Sequence, residues 1–248
     1  MILSRLSRAF REQNWFAVAL EFVIVIAGVV IGFQITAWNE TRANRENEQI
    51  YLTRLYQDME LSICRLSDER DLLISWNERA RVTLNALLDN DPGAVTDTGF
   101  ELIASTRLQT GTPHRATLNE LVEGGQMNLI SSPELRAQIA ATDAELTSLA
   151  GYIQLLVGAQ QPFMENIHTR LRPSREREWS ITYEFDALAH DDEFINSLGQ
   201  SLRLGRTNSI WLDRMIESAD ALRLSIGNAL GADPSETVDC EPDGEAAR

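Results

Sequence analysis

Apolar and polar positions divide the chain into one long apolar run followed by several amphipathic stretches. From Trp15 to Phe33 the one strongly polar residue is Glu21, and Trp38 follows shortly afterwards. Trp15 and Trp38 are 23 positions apart, about 34 Å along a helix, which spans the ~30 Å hydrocarbon core of a bilayer. Tryptophan side chains favour the two membrane interfaces. The pattern predicts a transmembrane helix over residues 15–38, with Trp15 and Trp38 as interface anchors.

Two other interpretations of this run fit less well. A cleaved signal peptide has a shorter apolar segment and a small-residue cleavage site, and Ile35-Thr36-Ala37 matches such a site poorly. A core helix of a soluble protein normally has a polar stripe, which this run lacks. A membrane span therefore remains the preferred interpretation.

One face of the predicted span has a distinct composition. At 100° per residue, Glu21, Val25, Gly28 and Gly32 lie on one stripe. The GxxxG spacing of the two glycines lets helix backbones approach closely. A carboxylate in lipid is costly, so Glu21 either faces protein or reaches the interface. We predict that the stripe is an oligomer contact, with interfacial placement of Glu21 as the alternative.

Beyond Trp38 the apolar residues recur mainly at gaps of three, four or seven, which is the helical period. One predicted helix continues from the span to about Leu88. A second follows the N-cap Ser132, bends or breaks near Pro162 and ends before Pro173. A third opens at Asp191 and ends at Gly231. Shorter predicted elements are helices at about Phe100–Leu108 and Thr117–Glu123 and a strand within Trp179–Phe185.

These elements predict an all-α fold, in which one N-terminal transmembrane helix precedes an antiparallel helical-bundle soluble domain. We expect a cytoplasmic basic amphipathic stub at 1–14, the transmembrane helix at 15–38, a helical soluble domain at 39–231 and an acidic disordered tail at 232–248.

Charge orients the chain and excludes one class of partner. The net charge is −15, and three arginines with one glutamate give residues 1–14 a charge of +2, which leaves −17 for the rest. A basic amphipathic helix is typical of an anionic cytoplasmic leaflet, although a disordered stub is the alternative. We expect the bacterial inner membrane, a cytoplasmic N-terminus and a periplasmic soluble domain. So acidic a domain does not suit nucleic acid.

No constellation in the sequence predicts catalysis, a cofactor or a metal site. All 22 basic residues are arginine, so Schiff-base chemistry and a P-loop, which need lysine, are excluded. Glu165 and His168 have the spacing found in di-iron bundles, but the second copy that such a site requires is missing. We therefore expect a protein that is not an enzyme.

Cys64 and Cys240 are the two cysteines of the chain. If the domain is exported, its compartment is oxidising and a disulfide between them is permitted. Two free thiols are the alternative.

Several local patterns together resemble one bacterial family of single-pass membrane proteins known as a domain of unknown function. They are the basic stub, Glu21 opening a glycine-containing span, the sequence Trp38-Asn39-Glu40, a following helix rich in Arg and Glu, and "TLNELVEGGQMNLISSPELRAQI" at 117–139. The resemblance covers residues 10–140 best. It implies membrane placement and a helical soluble domain, and it transfers no catalytic residue.

Two functional hypotheses follow. The first is a membrane-anchored interaction or scaffold protein without catalytic activity, either a homo-oligomer or bound to a partner membrane protein. The alternative is a ligand-sensing or regulatory subunit. About 14 residues precede the span, too few for an output domain, so a sensor would act through a partner membrane protein.

Overall fold

The computed structural model describes residues 15–95, 99–174 and 181–232 together with Val238 and Cys240, and it describes side chains from Val18 onward. In chain order the elements are α1 (Trp15–Asp89), a 3-10 helix (Pro92–Ala94), α2 (Phe100–Ala104), α3 (Ala116–Val122), a 3-10 helix (Gln126–Leu129), α4 (Pro133–Arg170), β1 (Arg172–Pro173), β2 (Ile181–Thr182), α5 (Phe185–Ala189) and α6 (Asp192–Leu230). The two short strands pair antiparallel and are the β structure of the described residues. The expected all-α class is confirmed.

The chain divides into two units, residues 1–50 and 51–248. The first contains the apolar beginning of α1, and the second contains the remainder of α1 and every later element. The predicted boundary between residues 38 and 39 falls inside α1, which is helical from Trp15 to Asp89. The predicted stub 1–14 and most of the predicted tail 232–248 lie outside the described residues.

The ends of the long helices follow local sequence signals. Ser132 Oγ accepts a hydrogen bond from the Leu135 backbone N–H at 3.1 Å, ahead of Pro133 in the first turn of α4. Asp191 Oδ1 accepts one from the Phe194 N–H at 2.9 Å at the start of α6. Gly231 ends α6 in the left-handed region at φ 72°. Each cap satisfies a backbone group that the helix end leaves unbonded.

Three predicted elements differ from the structure. The predicted Phe100–Leu108 helix stops at Ala104, because Ser105 and Thr106 donate their hydroxyls to preceding carbonyls and so compete with the helical bonds. Of the predicted bend or break near Pro162, the break is absent, since buried residues of α4 on both sides of Pro162 keep the helix packed. The predicted strand is reduced to Ile181–Thr182.

Side-chain contacts fix the direction of α4 against α6. Gln138 Nε2 donates to the Ala221 carbonyl at 3.0 Å, and Gln160 Nε2 donates to Ser201 Oγ. The second contact lies further along α4 but earlier on α6. The two helices are therefore antiparallel.

The part of α1 in the second unit is antiparallel to α6 as well. Arg223 Nη1 donates to the Tyr56 hydroxyl at 3.1 Å, and Arg70 Nη1 donates to Asp213 Oδ1 at 3.0 Å. Because α6 is antiparallel to both other long helices, α1 and α4 run in the same direction. The chain between them must therefore return along the bundle, and it does so as an extended segment and short helices.

The apolar core of the second unit consists of two clusters along the long helices. The larger is formed by buried residues of α1, α3, α4 and α6, with Leu55, Met59, Ile139 and Leu212 among its fully buried members. The smaller lies where α1, α2, the end of α4, α5 and α6 meet, and it includes the fully buried Phe194. Burial of such side chains contributes about 1.5–3 kcal/mol each, which makes these clusters the main source of stability.

Candidate functional site

The apolar beginning of α1 is the first candidate for function. It includes an 18-residue window whose length and composition suit a membrane span, and none of this window is buried. Trp38 is exposed, with 65% of its surface accessible. The side chain of Trp15 lies outside the described residues, so its role as an interface anchor stays a prediction.

The stripe of Glu21, Val25, Gly28 and Gly32 lies on one face of this helix. Glu21 and Val25 are exposed, and a Cβ added at Gly28 or Gly32 would meet no atom within 4 Å. The stripe is therefore open for a second helix to approach. Its role as an oligomer contact stays a prediction.

The two cysteines are joined in the second unit. Cys64 Sγ on α1 is bonded to Cys240 Sγ, and their Cα atoms are 5.3 Å apart, a separation usual for disulfides. Val238, two residues before Cys240, packs against the larger core cluster. The bond spans 176 residues of sequence and fixes this part of the tail to α1.

Residues 105–115, which we call the strap, run along α1 and α6 without regular secondary structure. Ser105, Thr106 and Gly111 of the strap are buried, whereas four of its other residues are exposed. Side chains of α1 bind its backbone. The His114 N–H donates to Ser62 Oγ at 2.8 Å, and the Gly111 N–H donates to Glu69 Oε2 at 2.9 Å. These bonds replace the ladder of a helix or sheet, because buried backbone groups need partners.

Side chains of α6 bind the strap from the other side. Asn208 is fully buried, and its amide accepts from the Gln109 N–H at 2.9 Å and donates to the Gln109 carbonyl at 3.2 Å. Ser201 Oγ donates to the Ser105 carbonyl at 3.0 Å. The polar interior of this unit thus has a structural purpose, which is to hold the strap between α1 and α6.

Gly111 is the point where the strap enters the core. A Cβ at this position would lie 2.8 Å from Ile153 Cδ1, 3.0 Å from Met215 Sδ and 3.1 Å from Leu212 Cδ2. Its φ is 61°, in the left-handed region that favours glycine. The close approach of the strap to α4 and α6 therefore depends on the absence of a side chain here.

His168 belongs to the same polar network. Thr106 Oγ1 donates to the Ile103 carbonyl at 2.7 Å, so its contact with His168 Nε2 at 3.1 Å requires the histidine to donate. Burial, followed by the charge of Arg107, lowers the pKa of His168 below its usual value. The neutral form of His168, with its proton on Nε2, is therefore favoured and donates to Thr106 of the strap. Within the described residues no group of three or more His, Cys, Asp or Glu side chains could hold a metal ion.

Ion pairs connect the elements at the surface of the second unit. Arg54 forms two parallel bonds of 2.9 Å with Glu120, and these hold the pKa of the Glu120 carboxyl below its usual value. Arg170 binds the N-cap Asp191 and lowers its pKa in the same way. Solvent screens the exposed Arg54–Glu120 pair, so it orients α3 more than it stabilises the fold, and the half-buried Arg170–Asp191 pair positions the start of α6.

Sequence reasoning missed the strap and its partners. The bond between Asn208 and Gln109 joins residues 99 positions apart, and no local pattern predicts such a pairing. One weak local signal was present. Gly111 lies between Thr110 and Thr112 in a stretch with few apolar residues, and a glycine there is compatible with a left-handed backbone conformation.

Comparison of the chain with protein-family models, curated proteins and solved structures finds no match. The resemblance to a family of single-pass membrane proteins therefore stays a prediction.

Proposed function

We propose that the chain is a single-pass protein of the bacterial inner membrane, with residues 15–38 in the bilayer and the helical second unit in the periplasm. The exposure of the apolar window of α1 supports this proposal most directly. A continuous apolar surface of this size is unfavourable in water and is the usual mark of a membrane or protein contact. Arginines are nearly equal in number on the two sides of the span, so a cytoplasmic N-terminus is supported by the basic amphipathic pattern of residues 1–14.

The Cys64–Cys240 bond supports the periplasmic placement of the second unit. Disulfides persist in oxidising compartments, whereas the cytoplasm keeps thiols reduced. If the second unit were cytoplasmic, the Cys64–Cys240 disulfide would be expected to be reduced to two thiols.

The proposed role is interaction with other membrane proteins, without catalysis. The stripe of Glu21, Val25, Gly28 and Gly32 is open and has the small residues that favour contact between membrane helices. A second copy of the chain is the proposed occupant, because a self-complementary stripe forms a symmetric helix pair. In this proposal the acidic second unit is available to bind another protein of the bacterial envelope.

Thiol cross-linking tests the helix contact, since the chain has no lysine for amine-reactive reagents. Because Cys64 and Cys240 are bonded to each other, Val25→Cys gives the described residues a single free thiol. Oxidation in native membranes is expected to give a covalent dimer on a non-reducing gel. Gly28→Leu together with Gly32→Leu is expected to suppress it.

Val30→Cys is the matched control, because Val30 lies on the opposite face of the helix at 100° per residue. It is expected to give little dimer. Equal cross-linking from both positions, or none from Val25→Cys, would reject the stripe as a self-contact. Extraction of the wild-type chain from membranes by alkaline carbonate would reject membrane anchoring separately.

A further inference from the structure

A groove lies between α1 and α6 on the surface of the second unit. It has a volume of about 480 Å³, within the range of small-molecule sites. Arg81 and its partner Glu78 line it from α1, and Arg203 and Arg206 line it from α6. Three guanidinium groups at one concave site are unexpected in a chain with a net charge of −15.

The positive charge of this groove is only partly compensated. Arg81 is paired with Glu78. Arg203 Nε donates to the neutral Gln200 at 3.0 Å, and within the described part of the chain neither Arg203 nor Arg206 is paired with a carboxylate. No Asp or Glu occurs between Glu193 and Asp213, so α6 supplies cations here and no nearby acid.

A second, smaller cavity of this unit also contains arginine side chains, but one of them is paired with carboxylates. It has a volume of about 280 Å³ and is lined in part by Arg170 and Arg172. Arg170 is already bound by Asp191 and Glu193, so its charge is used within the fold. Arg203 and Arg206 of the α1–α6 groove differ from Arg170 in that they have no carboxylate partner among the described residues.

The remaining lining of the groove suits the rest of an organic anion. Ile74 and Leu202 give it an apolar wall, and Ile74 is exposed. Asn77 lines it as well, close to Gly205, where an added Cβ would lie 2.5 Å from Asn77 Nδ2. Asn77 Oδ1 is buried against Gly205 and accepts no hydrogen bond from the described residues, so Asn77 shapes the floor of the groove.

We propose that this groove binds a small organic anion. Arg203 and Arg206 hold its phosphate or carboxylate, and its carbon skeleton lies against Ile74 and Leu202. Guanidinium groups suit this task because they remain charged and donate paired hydrogen bonds to planar or tetrahedral oxyanions. The inference is independent of the membrane contact proposed above, since every residue involved lies in the second unit.

The test uses the full chain in nanodiscs of neutral phosphatidylcholine at constant ionic strength. Hexyl phosphate, hexanoate and inorganic phosphate are the anionic probes, and hexanol is the uncharged control. Hexyl phosphate is expected to raise the melting temperature with increasing concentration and to bind in calorimetry. Hexanol is expected to do neither.

Arg203→Gln with Arg206→Gln is expected to weaken hexyl phosphate binding by about tenfold or more, as for lost charge-assisted bonds. Arg79→Gln is the matched control, because Arg79 is exposed on α1 and does not line the groove. It is expected to leave the affinity within about twofold. Ile74→Ala is expected to weaken hexyl phosphate but not inorganic phosphate. An unchanged circular dichroism spectrum verifies folding of each variant.

A second arm identifies the source of the anion. A melting shift seen in phosphatidylglycerol nanodiscs but with no soluble probe, and lost in the double arginine variant, assigns the same site to a lipid headgroup. The proposal is overturned if no anion shifts the melting temperature in either lipid, or if the shift persists in the double arginine variant.

Discussion

The insertion of the strap at Gly111 makes the sharpest prediction about stability. Replacing Gly111 with alanine introduces two costs, one from the backbone and one from packing. A left-handed φ costs a residue with a Cβ about 1–2 kcal/mol. The new methyl also meets three buried side chains at 2.8–3.1 Å, and overpacking of this kind costs about 1–3 kcal/mol. Gly111→Ala is therefore expected to lose about 2–5 kcal/mol.

Two other glycines separate these costs. Gly125 also has a left-handed φ, of 69°, but its Cβ would meet nothing within 4 Å. Gly125→Ala should therefore show the backbone cost alone, about 1–2 kcal/mol. Gly151 lies inside α4 in open space, and Gly151→Ala is expected to gain about 0.5–1 kcal/mol.

The assay is urea unfolding of the full chain in neutral detergent, followed by tryptophan fluorescence and circular dichroism. Free energies of unfolding are compared between the three variants and the wild type under identical conditions. A Gly111→Ala loss no larger than that of Gly125→Ala would refute the close packing of Gly111 against α4 and α6.

Three further predictions concern the interior and the disulfide. Replacing both Cys64 and Cys240 with alanine is expected to lower the free energy of unfolding by about 2–5 kcal/mol, because the disulfide closes a very long loop. Two alkylatable thiols in the unreduced wild-type protein would contradict the disulfide itself. Asn208→Ala leaves both backbone groups of Gln109 without their partner and is expected to cost about 1–3 kcal/mol in urea unfolding. A loss below that of Thr207→Ala, at a half-buried neighbouring position, would argue against this role of Asn208 in holding the strap. The pKa of His168 is lowered in the folded state, so the unfolded chain binds more protons at this residue, and the free energy of unfolding falls as the pH decreases below the unfolded pKa of ~6.5. Between pH 8 and 5, His168→Gln should therefore lose less of its free energy of unfolding than the wild type, and an equal loss would exclude this role of His168.

The long helices could be predicted because their signals are local. The helical spacing of apolar residues, the capping serine before Pro133 and the glycine after α6 each act within a few residues. The same holds for the stripe of Gly28 and Gly32, which requires nothing beyond the helical angle. These features do not depend on how the helices are arranged.

The strap and the groove could not be predicted because they depend on the register of distant segments. The strap is held by partners such as Asn208, 99 positions away from Gln109. The groove forms where Arg81 of α1 and Arg206 of α6 come to line one cavity. Helix packing sets that register through the whole core, so periodicity within one segment cannot give it.

The absence of a break at Pro162 has a related cause. Proline removes one helical hydrogen bond and disfavours the preceding turn, so a local rule predicts an interruption. Buried positions at Leu156, Gln160 and Ile167 continue on both sides. Packing of α4 along its whole length outweighs the local cost.

In the proposed arrangement the apolar part of α1 lies in a bilayer while the second unit lies in water. Spin labels at Val30→Cys and Leu155→Cys test it directly in reconstituted vesicles, since both side chains are exposed in the structure. The label at 30 is expected to collide with dissolved oxygen and not with a water-soluble nickel complex, and the label at 155 is expected to show the reverse. Equal access of the nickel complex to both labels would contradict it.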